Sequence, residues 1–238
     1  MANFPFQRLQ TDLAALIQRT PAGSRLISEP ELAKQMGVSR ATLREAMRTF
    51  ETQGLIRRRQ GSGTFVVGKV PVIDAGLEVL ESLDTMARRM NLAITVSDLN
   101  IEQIDADEDH ANGLGVEVGT CLTRIRRVMR ADTRPVAYLI DTLPENTLKL
   151  EDLPADFNGS VLDFLLERGD DLRISRAAIS ATNATAEVAK ALEIQRGDVL
   201  LQFTSQLYAA DGKIIDYSTS SFIPGYFHFH VNRRVGNS

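Results

Sequence analysis

Arg40, Arg44 and Arg48 stand at i, i+4 and i+8, so on a helix they share one face. Arg57, Arg58 and Arg59 follow as an unbroken triplet, and Gln60-Gly61-Ser62-Gly63 comes directly after it. A guanidinium group suits two tasks here. Its planar fork pairs bidentately with guanine O6 and N7, and its charge meets the phosphates that fix a protein's register on a duplex. An arginine row on an amphipathic helix can equally be a solvated face, so the distribution of charge decides. Residues 1–70 carry 11 Lys/Arg against 5 Asp/Glu, a net of +6, whereas the rest of the chain carries 16 against 26, a net of −10. A basic module on an acidic protein is the electrostatic footprint of a polyanion binder.

The elements that must position these arginines can be read around them. Ser28-x-x-Glu31 is a capping box that starts a short helix, with Pro30 in its first turn and Gly37 at its end. Ser39 caps a second helix in which Leu43, Ala46, Met47 and Phe50 form one apolar stripe, and Gly54 ends it. The extended runs 55–59 and 64–67 are joined by the glycine-bearing Gln60–Gly63 connection, a hairpin whose tip can approach another molecule closely. Two helices and a glycine-tipped hairpin describe a winged helix-turn-helix. Such a unit places the start of its second helix in the major groove. The expected interface is therefore Ser39, Arg40, Ala41, Thr42 and Arg44 for the bases, with Ser28, Arg57, Arg58, Arg59, Gln60, Gly61, Ser62 and Gly63 around them.

These residues resemble the GntR family of bacterial transcription regulators. The resemblance rests on Leu26-Ile27-Ser28-Glu29-Pro30-Glu31-Leu32-Ala33, on Gly37-Val38-Ser39-Arg40-Ala41-Thr42-Leu43-Arg44-Glu45-Ala46-Met47, and on Gly54-Leu55-Ile56 with Gly61-Ser62-Gly63-Thr64-Phe65-Val66. Pro30 stands where the family usually has an arginine that often contacts the operator, which leaves operator preference open.

A chain of 238 residues accommodates two domains. We expect a winged domain over residues 1–68, a linker over 69–76 and a second domain over 77–238. Residues 6–18 read as the first helix of the winged domain. Residues 77–90 place Leu77, Leu80, Leu83, Ala87 and Met90 on one helical face. Beyond them, extended segments at 94–104, 122–129, 136–143, 172–182, 199–208, 214–222 and 226–231 alternate with helical stretches at 161–168 and 184–192. Asp211-Gly212 is a hairpin signal. The fold class expected is α+β, the second domain being built on a mainly antiparallel sheet.

That second part resembles the UTRA effector-binding domain of the HutC subgroup, whose fold is similar to chorismate lyase. The matching residues include Arg127-Val128, Ala131-Asp132, Pro135-Val136-Ala137, Ile174-Ser175-Arg176-Ala177 and Asp216-Tyr217-Ser218. The resemblance implies a homodimer and a small-molecule effector held by Ser82, Arg127, Ser160, Arg176 and Asp216. Two family positions differ. The second arginine of the usual Arg-x-Arg is Met129, and the usual Arg-x-Asp near the end is Ile223-Pro224-Gly225. Both changes count against a phosphate.

Other candidates carry less. His228 and His230 point to one face of a strand, but the sequence places no third metal ligand beside them, so no metal is expected. Cys121 is a lone cysteine, which excludes an internal disulfide and agrees with a reducing cytoplasm. His110 sits among Asp107, Glu108 and Asp109, as at the start of a short helix. No apolar run approaches membrane-spanning length. The reading is a cytoplasmic regulator, without cofactor, that represses from a palindromic operator as a homodimer. An enzyme and a nonspecific architectural DNA binder are its rivals. The first lacks a visible acid–base or nucleophile constellation, and the second does not account for a large acidic domain.

Overall fold

The structure is a computed structural model that describes residues 4–59, 62–67, 73–157 and 159–233. Gln60, Gly61 and the first half of the expected linker, 69–72, lie outside the described residues. The chain forms two compact units, residues 1–72 with 224–226, and residues 73–223 with 227–238.

The first unit holds α1 (Phe4–Arg19), α2 (Glu29–Met36), α3 (Arg40–Thr52) and the antiparallel pair β1 (Ile56–Arg59) and β2 (Gly63–Val66). The Ser28 capping box is formed in full, and the Ser39 hydroxyl accepts from the Thr42 N–H at 3.1 Å. The apolar stripe of α3 is buried: Leu43, Ala46, Met47 and Phe50 pack with Leu9, Leu13 and Ile17 of α1 and with Leu32 of α2. Each fully buried leucine of this kind contributes about 1.5–3 kcal/mol. The wing is anchored by a bridge between Arg25 and Phe65.

The second unit is a six-stranded sheet in the order β4-β5-β6-β9-β8-β7, antiparallel throughout. Its strands are β4 (Ile94–Asp105), β5 (Cys121–Ala131), β6 (Arg134–Pro144), β7 (Leu172–Asn183), β8 (Val199–Ala209) and β9 (Ile214–Phe222). The helices are α4 (Leu83–Arg89), α5 (Glu108–Leu114), α6 (Val161–Arg168) and α7 (Ala186–Ala191). Leu165 of α6 is buried against Ile125, Leu143 and Leu207 of the sheet. On the other face, a Cβ placed on Gly113 of α5 would lie 2.7 Å from the Tyr217 ring.

Two expectations are corrected. Residues 73–76 are not linker but a strand, β3 (Ile73–Gly76), which pairs in parallel with β10 (Phe227–His230). The helix expected from residue 77 begins only at Leu83, after its Ser82 cap. The apolar spacing of Leu77 and Leu80 matched a helix by coincidence: both are exposed and line a cavity instead.

Candidate functional site: nucleic-acid interface and ligand cavity

At the start of α3, Arg40 and Ala41 are exposed, while Ser39 and Thr42 share a hydroxyl–hydroxyl hydrogen bond of 2.8 Å. Capping therefore occupies Ser39 and Ser28, whose hydroxyl donates to Glu31 at 2.6 Å, and their roles are first structural. Arg57, Arg58 and Ser62 are exposed along the wing. Arg59 belongs to β1. Sequence reasoning missed two residues. Glu29 accepts from Arg44 Nε at 2.6 Å and lies 3.3 Å from Arg58 Nε, so one carboxylate holds a helix arginine and a wing arginine together. Arg25 lies across Gly63, where a Cβ would meet its Nε at 2.5 Å and where φ is +106°. Only glycine leaves that crossing open.

The Glu29 clamp yields a prediction. Glu29→Gln removes a negative charge from between Arg44 and Arg58, on the face expected to meet phosphates, and releases Arg44 from its orientation. Random DNA should then bind more tightly, while the ratio of operator to random affinity narrows by up to about fivefold, the equivalent of ~1 kcal/mol. Competition binding at fixed salt measures both. A ratio that widens would show that Glu29 hinders Arg44 rather than positioning it.

The second unit contains a cavity of about 640 Å³ over one face of the sheet. Because side chains alternate along a strand, that face is built from every second residue. β9 supplies Asp216, Ser218 and Ser220, β6 supplies Leu139 and Asp141, and β8 supplies Phe203, Ser205 and Leu207. Arg127 of β5 enters from the same face and is buried. Its stem passes Gly159, where a Cβ would lie 2.8 Å from Arg127 Cδ. The alternating Asp216-x-Ser218-x-Ser220 pattern was a signal available in the sequence.

Four of the five expected effector residues, Ser82, Arg127, Ser160 and Asp216, line this cavity. Arg176 does not. It pairs in register with Gln206, whose amide donates to the Gly113 carbonyl of α5, so both stand on the reverse face and Arg176 is exposed. Its neighbours Ser175 and Ala177 face the cavity, as does Arg173, which is ion-paired with Asp171 at 3.0 Å.

The charges inside differ from an anion shell. Arg127 is ion-paired with Asp141. Asp216 is buried beside that pair, accepts from the Thr142 N–H at 3.2 Å and hydrogen-bonds Asp141. Burial first, and then the neighbouring Asp141 charge, push its carboxyl well above the usual range. Ser82 and Ser160 both donate to Asp163 Oδ2, at 2.7 and 2.8 Å. Asp84 also lines the cavity, its carboxyl raised by burial and then by the charge of Asp163. The arrangement offers hydroxyls and carboxyl groups, and its one buried guanidinium is already neutralised.

Comparison with known proteins agrees with both halves. Residues 6–66 match the bacterial regulatory proteins of the gntR family, and residues 89–228 match the UTRA domain. The HTH-type transcriptional repressor NagR of Bacillus subtilis is 32% identical over 201 residues, covering 83% of this chain and 80% of that protein. The mannosyl-D-glycerate transport/metabolism system repressor MngR of Escherichia coli is 27% identical, covering 84% of this chain and 82% of the relative. Among solved structures, PhnF from Mycobacterium smegmatis superposes with a TM-score of 0.65 at 23% identity, over 96% of this chain and 100% of that one, and so shares the fold. With a gntR-type winged head, a UTRA domain and a repressor relative aligned over most of its length, this chain belongs to the GntR family of bacterial transcription regulators.

Proposed function

We propose that this regulator is a cytoplasmic repressor that binds a palindromic operator as a homodimer and leaves it when a small hydroxylated metabolite occupies the cavity. The carrying observation is the cavity itself, whose floor combines Ser205, Ser218 and Ser220 with Asp141 and Asp216. Serine hydroxyls and carboxyl groups together match the donors and acceptors of a polyhydroxylated molecule. A phosphate would find Arg127 paired with Asp141, the Ser82 and Ser160 hydroxyls turned to Asp163, and acidic groups on several sides. The effector is therefore read as neutral or amine-bearing, consistent with Met129 and Ile223 standing where the family resemblance implies arginine. The repressor names of NagR and MngR support the sign of regulation, and no helix among the described residues is long and apolar enough to cross a membrane.

Coupling needs only that the metabolite bind better to the conformation with weaker DNA affinity. The test is operator binding by the purified regulator in the presence of a neutral sugar panel, an amino-sugar panel and the matching sugar phosphates. Release by an unphosphorylated sugar, with the phosphates inert, is expected. Release by the phosphates alone would overturn the effector class. Sedimentation of the operator complex should give two chains per site; a single chain would overturn the dimer.

A further inference from the structure

The sequence places no third ligand beside His228 and His230, but the fold supplies one. β3 runs beside β10 with Asp74 directly opposite His228, and His230 lies two residues on, facing the same way. Asp74 Oδ1 lies 2.9 Å from His228 Nδ1 and 3.1 Å from His230 Nδ1. The three donor atoms all lie within 4.8 Å of one another. We propose that Asp74, His228 and His230 form a binding site for a divalent transition-metal ion of the zinc, cobalt or nickel class.

The chemistry favours that class. Two imidazoles and one carboxylate suit borderline divalent ions, whereas calcium and magnesium prefer oxygen ligands throughout. A tetrahedral ion with bonds of about 2.0–2.2 Å spaces its ligand atoms about 3.3 Å apart, so the nitrogen–oxygen distances need to open by only a few tenths of an ångström. Water would complete the shell. The ligands are exposed, giving an ion direct access. They stand on paired strands, which hold a constellation more closely than loops do. The opposite face of β10 is pinned by its rings: Phe229 packs on Phe203 at 4.6 Å and on Phe222 at 5.1 Å between centroids. Glu78 adds a second acidic group beside the ligands: a Cβ placed on Gly76 would lie 2.5 Å from Glu78 Oε2 and 3.5 Å from His230 Nε2.

Position gives the ion a use. Gly76 of β3 and Phe229 of β10 both line the ligand cavity, so an ion joining the two strands braces one wall of it. Metal occupancy would then adjust effector affinity without touching the effector.

The experiment uses the full chain, free of any tag and stripped of metal with a chelator, titrated with Co²⁺ and Zn²⁺. Calorimetry should show one ion per chain, Co²⁺ should develop a visible ligand-field band, and Zn²⁺ should raise the melting temperature in a concentration-dependent way. Acidification should weaken binding, because protons compete for imidazole nitrogen. His228→Ala and His230→Ala should each weaken binding by at least about 100-fold, beyond what loss of an outer-shell partner costs. Asp74→Asn should weaken it by at least about tenfold. All three replace exposed side chains, so folding is not at stake, and circular dichroism verifies it. His110→Ala and Cys121→Ser should leave binding unchanged. The proposal is overturned if the parent binds neither ion at millimolar concentration, or if the His228 and His230 variants bind as the parent does. In that case the cluster is an Asp74–histidine ion-pair network and no more.

Discussion

Arg127→Ala is expected to destabilise the effector domain by about 3–5 kcal/mol, because it leaves a buried carboxylate without its cation. The Arg127 and Asp141 side chains are only 9% and 13% exposed, and Asp216 lies beside them with 6% of its surface accessible. Removing the guanidinium leaves the Asp141 carboxylate beside the buried Asp216 carboxyl with no cation against it. The loss comes from the abandoned partner more than from the pair itself, which distinguishes two variants. Arg127→Met combined with Asp141→Leu removes both charges and should recover most of the stability. Urea denaturation followed by circular dichroism measures this, since the chain has no tryptophan to report by fluorescence. A single variant that loses less than about 1 kcal/mol would mean that water reaches the pair, as at a surface salt bridge. The double variant also isolates function: it should hold its operator yet no longer respond to the metabolite.

Arg40→Ala should cost about 1–3 kcal/mol at the operator and relax base preference at one position of each half-site. Arg40 is exposed at the start of α3, the end expected to enter the groove, whereas Glu29 already engages Arg44. Binding to a set of operators changed one base pair at a time would locate the lost contact. Unchanged affinity and preference in Arg40→Ala would remove α3 from the role of recognition helix. A uniform loss on all sequences, with a shallower salt dependence, would instead make Arg40 a phosphate contact.

The winged head was legible because its signals are local. Ser28 with Glu31, Ser39 with Thr42, and the stripe from Leu43 to Phe50 each act within a turn or two, and the structure forms every one of them. The sheet was legible for the same reason, since each long strand is its own extended run and the Asp211-Gly212 turn marks its own hairpin. What escaped was set by pairing across the chain. Arg176 matches a family position, yet parity along β7 turns it away from the cavity that Arg127 enters. Asp141 and Asp163 lie 14 residues from Arg127 and 81 from Ser82, and nothing local links them. Asp74 was read as linker because a four-residue strand with a partner 154 residues away leaves almost no periodic signal.

That long pairing also bears on the order in which the protein is made. β3 has to wait for β10, and at synthesis rates of about 5–20 residues per second the delay across 154 residues is roughly 8–30 s. Throughout it the helices and hairpin of the head, all emitted earlier, have their own core partners, with only residues 224–226 of that unit still to come, while Ile73 and Ala75 lack the strand that covers them. Each newborn regulator therefore passes through an interval in which it has a DNA-reading head before it has a finished sensor. A chain interrupted before Phe227 would remain in that state, with the head's core complete and β3 unpaired.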